Sequence, residues 1–145
     1  MSNANVDQIL ADLLFVMPAL HKKVLRMDLG GAAGNFSRLH FAIMGILSEN
    51  STKVTELSKT LMVTKPQMTF LVEQLVKAGI VERHPDVADR RAINLTLSDQ
   101  GRTLLKEIKQ KVKINIKTQL AGLTEEDRKE MAAALETLRG IVARL

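Results

Sequence analysis

The chain has 145 residues, 46% hydrophobic and 26% charged, with 21 Lys+Arg against 16 Asp+Glu and a formal charge of +5. That length holds one domain with a real core, and the balance is that of an ordinary soluble globular protein. The lack of cysteine excludes disulfides and thiolate chemistry; no run reaches the roughly 18 apolar residues of a membrane span and no signal-peptide pattern opens the chain, so a cytoplasmic protein with no membrane partner is expected.

Residues 6–27 carry Val6, Ile9, Leu10, Leu13, Leu14, Met17, Leu20 and Val24 at helical spacing. Pro18 inside that stripe predicts a kink or a split. The connector DLGGAAGNFS is flexible by its glycines and lacks the Gly-Lys-Ser/Thr of a phosphate-binding loop. A second helix follows, with Ser37 as one possible cap, and Leu39, Phe41, Ala42, Ile43, Ile46 and Leu47 mark it as a core element. SENSTKVT breaks the pattern, and Thr55 is predicted to cap a short helix over 55–62 with Leu57 and Leu61 inward.

Thr64 followed by Gln67 fits the capping-box template, and Pro66 is tolerated in a first helical turn, where its missing N–H has no partner to lose. Gly79 is predicted to end that helix in the left-handed conformation. Residues 80–84 read as a strand, 85–91 as a loop and 92–97 as a second strand. In the latter Ile93, Leu95 and Leu97 point one way and Asn94 and Thr96 the other. Ser98 then caps a long helix reaching about residue 120. Thr124 with Asp127 opens the last helix, whose stripe is Met131, Leu135, Leu138, Val142 and Leu145.

Short helix, turn, longer helix and two-stranded ribbon make a winged helix-turn-helix, so the fold class is mainly α with a small β-wing. The winged helix-turn-helix, expected to bind DNA, spans 36–97. The segments 6–34 and 98–145 are dimerisation helices, because their stripes need a second surface and a homodimer supplies one. On a helical wheel of residues 65–77, Met68, Leu71, Val72, Leu75 and Val76 form the core side. The opposite side presents Pro66, Thr69, Phe70, Glu73 and Lys77, with Gln67 and Gln74 on its flank.

That outward side suits the major groove of double-stranded DNA, its N-terminal residues nearest the bases. Gln67 can read adenine, Thr69 can donate or accept, and Phe70 can pack on a thymine methyl or against a neighbouring element. Lys65 suits phosphate. Glu73 can accept from cytosine or pair with Lys77 one turn on. At the wing tip, Arg91 can enter a minor groove and Asp89 can orient Arg91 or Arg90 through a charge-assisted hydrogen bond, while Arg90 is open between phosphate and solvent. The basic residues between Arg102 and Lys117 read either as a solvated face or as phosphate contacts. His21, His40 and His84 have no metal-site spacing, no catalytic constellation is present, and no cofactor is expected.

The stretch LVEQLVKAGIVERHPDVADRRAINLTLSDQG resembles the MarR-type transcriptional regulators. Leu75, Gly79, Ile80, Val81, Arg83, Asp89, Arg91, Leu97, Ser98 and Gly101 stand at the family's pattern positions. The resemblance implies an obligate dimer, a repressor on a pseudo-palindromic operator, recognition helices in successive major grooves and wing arginines in the minor groove. It also implies a pocket for a small anionic or aromatic effector, for which Met17, His21, Phe36, Arg38, His40 and Met44 are the candidates by position. Phe70, Val87 and Ser98 depart from the commonest family residues. The alternative is a winged-helix protein-interaction module without DNA binding; such a module would have no use for Arg90, Arg91 and a polar first turn on the recognition helix.

Overall fold

The computed structural model describes residues 3–23 and 34–145. Their order is α1 (Asn3–Lys23), α2 (Arg38–Glu49), α3 (Val54–Leu61), α4 (Lys65–Lys77), β1 (Val81–Pro85), β2 (Ile93–Leu97), α5 (Asp99–Leu120) and α6 (Glu125–Val142). By contacts the chain divides into two compact units, 29–110 and 1–28 with 111–145. The division falls inside α5, whereas the sequence pattern placed it before that helix. The reason is burial: Gly101, Leu105 and Ile108 of α5's first turns are all buried.

In the 29–110 unit, α2, α3, α4 and the ribbon close around one core. Ile43, Met44 and Leu47 of α2 meet Leu57 of α3, Met68, Leu71, Val72 and Leu75 of α4, and Ile80, Val81, Leu95 and Leu97 at the ribbon. Full burial of each such side chain contributes about 1.5–3 kcal/mol. The antiparallel register sets Val81 opposite Leu97 and Arg83 opposite Leu95. Leu95 and Leu97 point into the core as the alternation predicts, but Ile93, at the loop end of the strand, is half exposed.

Two joints lock the ribbon between its neighbouring helices. At the end of α4, Gly79 takes φ +73°, its N–H donates to the Val76 carbonyl at 3.0 Å, and the Ile80 N–H donates to Leu75 at 2.9 Å. This pair of bonds is a Schellman motif, with Ile80 and Leu75 buried beside it. At the start of α5 the Ser98 hydroxyl accepts from the Gly101 N–H at 3.0 Å and donates to the Gly79 carbonyl at 2.6 Å. A Cβ at Gly101 would sit 2.4 Å from the Ile80 carbonyl oxygen, so only glycine lets α5 seat this closely. The spacing from Ser98 to Gly101 is a packing device.

The other unit is helical. α1 continues through Pro18 as one helix, not as two; the expected helical residues 24–27 and most of the glycine connector lie outside the described residues. α6 opens on a complete capping box, with the Asp127 N–H donating to Thr124 Oγ1 at 3.0 Å and the Thr124 N–H to Asp127 Oδ2 at 3.1 Å. The Thr124 hydroxyl and then its backbone N–H hold the Asp127 carboxyl below its ordinary pKa. No helix among the described residues is long and apolar enough to cross a membrane.

Candidate nucleic-acid interface

Helix α3 begins one residue earlier than the sequence predicts, and Thr55 lies inside its first turn; Lys53 is the N-cap. The cause is a contact distant in sequence. Thr52 exchanges both backbone hydrogen bonds with Leu95, at 2.8 and 3.2 Å, which fixes the chain in an extended conformation up to the helix start. The turn to α4 passes through Met62 at φ 52°, a left-handed conformation uncommon for a side chain this long.

Thr64 is the N-cap of α4, as expected, but its side chain makes no capping hydrogen bond, so the predicted box with Gln67 is not formed. Pro66 at the second helical position removes one of the two N–H groups such a cap would serve. Gln67 therefore remains exposed, as do Lys65, Thr69 and Phe70. The Thr69 hydroxyl donates to the Lys65 carbonyl at 2.9 Å, which leaves it only acceptor capacity toward anything outside. Phe70 is 62% exposed and packs into no neighbouring element of the core. Met68, Leu71, Val72 and Leu75 hold the opposite side of the helix buried.

Glu73 pairs with Arg83 of β1, not with Lys77. This ion pair ties the middle of α4 to the wing. His40 makes a second tie, on the buried side. Its Nδ1 accepts from the Ser37 N–H at 2.9 Å, so its proton is on Nε2, which donates to Gln74 Oε1 at 2.8 Å.

The wing loop is built by Asp86, a residue no sequence pattern singles out. Its Oδ1 accepts from the Ala88 and Asp89 N–H groups at 2.8 and 3.2 Å. Its Oδ2 accepts from Asn94 at 3.1 Å and lies 3.4 Å from Lys53 Nζ. The Ala88 and Asp89 amides, then Asn94 and lastly Lys53 favour the carboxylate, and the Asp86 pKa is lowered although partial burial opposes them. Asp89 accepts from the Arg91 backbone N–H at 3.0 Å, orienting the main chain and not a guanidinium. Arg90 and Arg91 are exposed and enter no ion pair among the described residues.

The effector candidates divide. Met17 and His21 belong to α1 in the terminal unit, and Phe36, Arg38, His40 and Met44 to the winged unit. Met44 is fully buried core and His40 is 3% exposed in the hydrogen-bonded bridge, which explains both without a ligand. The Phe36 ring stacks at a tilt on His40, centroids 5.3 Å apart, and meets Phe41 edge-on. Phe36 also lines an open cavity of about 440 Å³ with Gly34, Asn35, Gln74, Lys77 and Ala78. The basic residues from Arg102 to Lys117 are all exposed.

Residues 35–92, from just before α2 to the end of the wing loop, match the model of the MarR family. The HTH-type transcriptional repressor MdtR of Bacillus subtilis (strain 168) is 25% identical over 125 residues, covering 85% of this chain and 81% of that one. The fold is similar to that of the transcriptional regulator BldR from Sulfolobus solfataricus, at 23% identity and a TM-score of 0.71, covering 97% of this chain and 98% of that one. It is equally similar to wild-type MarR from E. coli in its apo form, at 20% identity and a TM-score of 0.71 over 85% and 93% of the two chains. Residues 35–92 thus match the MarR family, and over most of its length the chain is similar to a transcriptional repressor, which supports a DNA-binding transcription regulator.

Proposed function

We propose that this regulator binds a pseudo-palindromic site on double-stranded DNA as a homodimer, with 36–97 as its DNA-binding part. In this reading α4 lies in the major groove with Gln67, Thr69 and Phe70 nearest the bases and Lys65 at phosphate. The wing carries Arg90 and Arg91 toward the adjacent minor groove, with Asp89 shaping the backbone beneath them. The observation that carries the proposal is the pairing of two free surfaces: an exposed α4 face and a wing tip with unpaired arginines, joined by the Glu73–Arg83 ion pair. A buried or self-paired arginine set would have argued for a protein-interaction module instead.

The second copy meets the exposed apolar stripes of α1 and α6. The action is repression, by analogy with the repressor MdtR. A small anionic aromatic ligand releases the DNA by favouring a dimer shape whose recognition helices are not one turn of DNA apart, roughly 34 Å. Among the candidates Phe36 has the best claim to touch it, since it lines an open cavity with the cationic Lys77.

The test is Arg91→Ala in the full chain, measured by fluorescence anisotropy on a footprinted site at stated salt. Specific binding should weaken by about 1–3 kcal/mol with the melting temperature unchanged. Equal affinity for the variant and the wild type would remove Arg91 from the interface.

A further inference from the structure

We infer that Phe70 is a specificity-determining residue that reads the C5 methyl of a thymine, next to an A·T pair read by Gln67. The inference rests on the DNA-binding reading above and names what that surface recognises.

Three observations carry it. First, the winged unit buries its large apolar side chains with few exceptions. Those left exposed among the described residues are Met62, Phe70, Val87 and Ile93, on the helix-turn-helix turn, α4 and the wing. Apolar surface is thus left open on the elements that would meet DNA. Second, the rival readers on α4 are missing or occupied, apart from Lys65 in the first turn, which the reading above places at phosphate, and Lys77 at the far end of the helix. The helix contains no arginine, Glu73 is held by Arg83, and the Thr69 proton is held by the Lys65 carbonyl. The commonest guanine contact, a bidentate arginine, has no donor here. Gln67 matches the adenine edge, and an apolar ring matches only the thymine methyl in the major groove. Third, Gln67 and Phe70 are three residues apart, so they stand about 4.5 Å apart along the helix axis and on neighbouring faces. Base pairs are stacked about 3.4 Å apart, so the two side chains address adjacent pairs.

The experiment uses the full chain and a duplex it selects from a randomised pool. Each thymine of the half-site is replaced in turn by uracil, which deletes the methyl and keeps every hydrogen-bonding group. One position per half-site should weaken wild-type binding about fourfold, the effect of losing one buried methyl. Phe70→Ala should bind more weakly and be indifferent to uracil there, while Phe70→Leu should keep part of the sensitivity. Melting curves check that both variants fold, as an exposed side chain allows. Uracil tolerated everywhere, Phe70→Ala as uracil-sensitive as the wild type, or selected sites with G·C at both positions would each overturn the inference while leaving DNA binding intact. Selection of no duplex at all would overturn DNA binding, and the inference with it.

Discussion

The winged unit and the terminal helices carry similar apolar stripes and treat them in opposite ways. Ile43, Met44, Leu57, Met68, Val72, Leu75 and Leu95 of the winged unit are sealed from solvent. On α1, by contrast, Val6, Ile9, Leu10, Leu13, Leu14, Phe15, Val16 and Met17 are all exposed, as are Leu135, Leu138, Ile141 and Val142 of α6. Periodicity is present in both regions. The difference is whether the same chain supplies a second surface, and in the winged unit a ribbon and three short helices do so. An apolar area as extended as that on α1 and α6 is unusual on a monomer and marks an association surface. The winged unit is therefore specified by its own chain, whereas the terminal helices leave exposed the apolar stripes that the proposed dimer would cover.

The largest expected effect breaks the terminal half of this comparison. Leu10→Glu combined with Leu138→Glu places charges on both exposed stripes. Burying a carboxylate without a partner costs several kcal/mol per ion, and a two-fold interface meets each charge twice. The variant should sediment as a monomer at concentrations where the wild type is a dimer, and bind operator DNA no better than random DNA. A dimer of unchanged mass would mean that these stripes do not form the interface. Next comes the winged half: Leu75→Ala should lower the stability of that unit by about 2–5 kcal/mol in urea unfolding. Leu138→Ala, the same truncation on an exposed stripe, should leave the unfolding of that unit unchanged. Equal losses from both would dissolve the distinction.

What was legible in the sequence follows the same division between local and distant causes. Gly79 and Ser98 were readable because each acts on backbone within a few residues or at a turn of defined chirality, whereas Gly101 stood only at a family pattern position and its close approach to Ile80 was not read. The α4 core stripe was readable because burial of one face imposes a period. The bonds that shape the surface proposed to face DNA were not, because their partners are far apart in sequence. Thr52 pairs with Leu95, Lys53 with Asp86, Glu73 with Arg83, and His40 with Gln74. Periodicity has nothing to say about such pairs. The family resemblance made Met44 and His40 effector candidates by position, and the sequence cannot separate them from core, since a methionine or histidine on a core-facing helix looks the same whether it lines a pocket or fills one. Thr64 and Gln67 misled because they have the residue types and spacing of a capping box, while the Thr64 side chain makes no capping hydrogen bond.

A smaller effect tests how firmly the wing is fixed. The Asp86 pKa is lowered from its ordinary 3.8 by the Ala88 and Asp89 amides, then Asn94 and Lys53. A depressed carboxyl stabilises the folded loop above that value and loses its contribution as pH falls through the lowered one. Asp86→Asn should therefore loosen the wing at neutral pH, weakening DNA binding by less than Arg91→Ala does. The amide shifts of Ala88 and Asp89 should differ between variant and wild type at neutral pH and converge only below about pH 3.8. A difference that closes already near pH 6 would mean that a group other than Asp86 holds the loop.

The smallest expected effect lies at the turn between α3 and α4. Met62 holds φ 52° with its side chain 93% exposed, so the residue bears a left-handed conformation and gains no packing in return. An L-residue in that region is disfavoured by roughly 1–2 kcal/mol, whereas glycine adopts it freely but loses about 0.5–1 kcal/mol of chain entropy on folding. Met62→Gly should therefore raise the stability of the winged unit by about 0.5 kcal/mol. If Met62 is kept because the turn meets DNA, the same variant should melt higher and bind its operator more weakly. A gain in stability with unchanged affinity would assign the methionine no part in the interface and leave Phe70, Val87 and Ile93 as the exposed apolar residues of that surface.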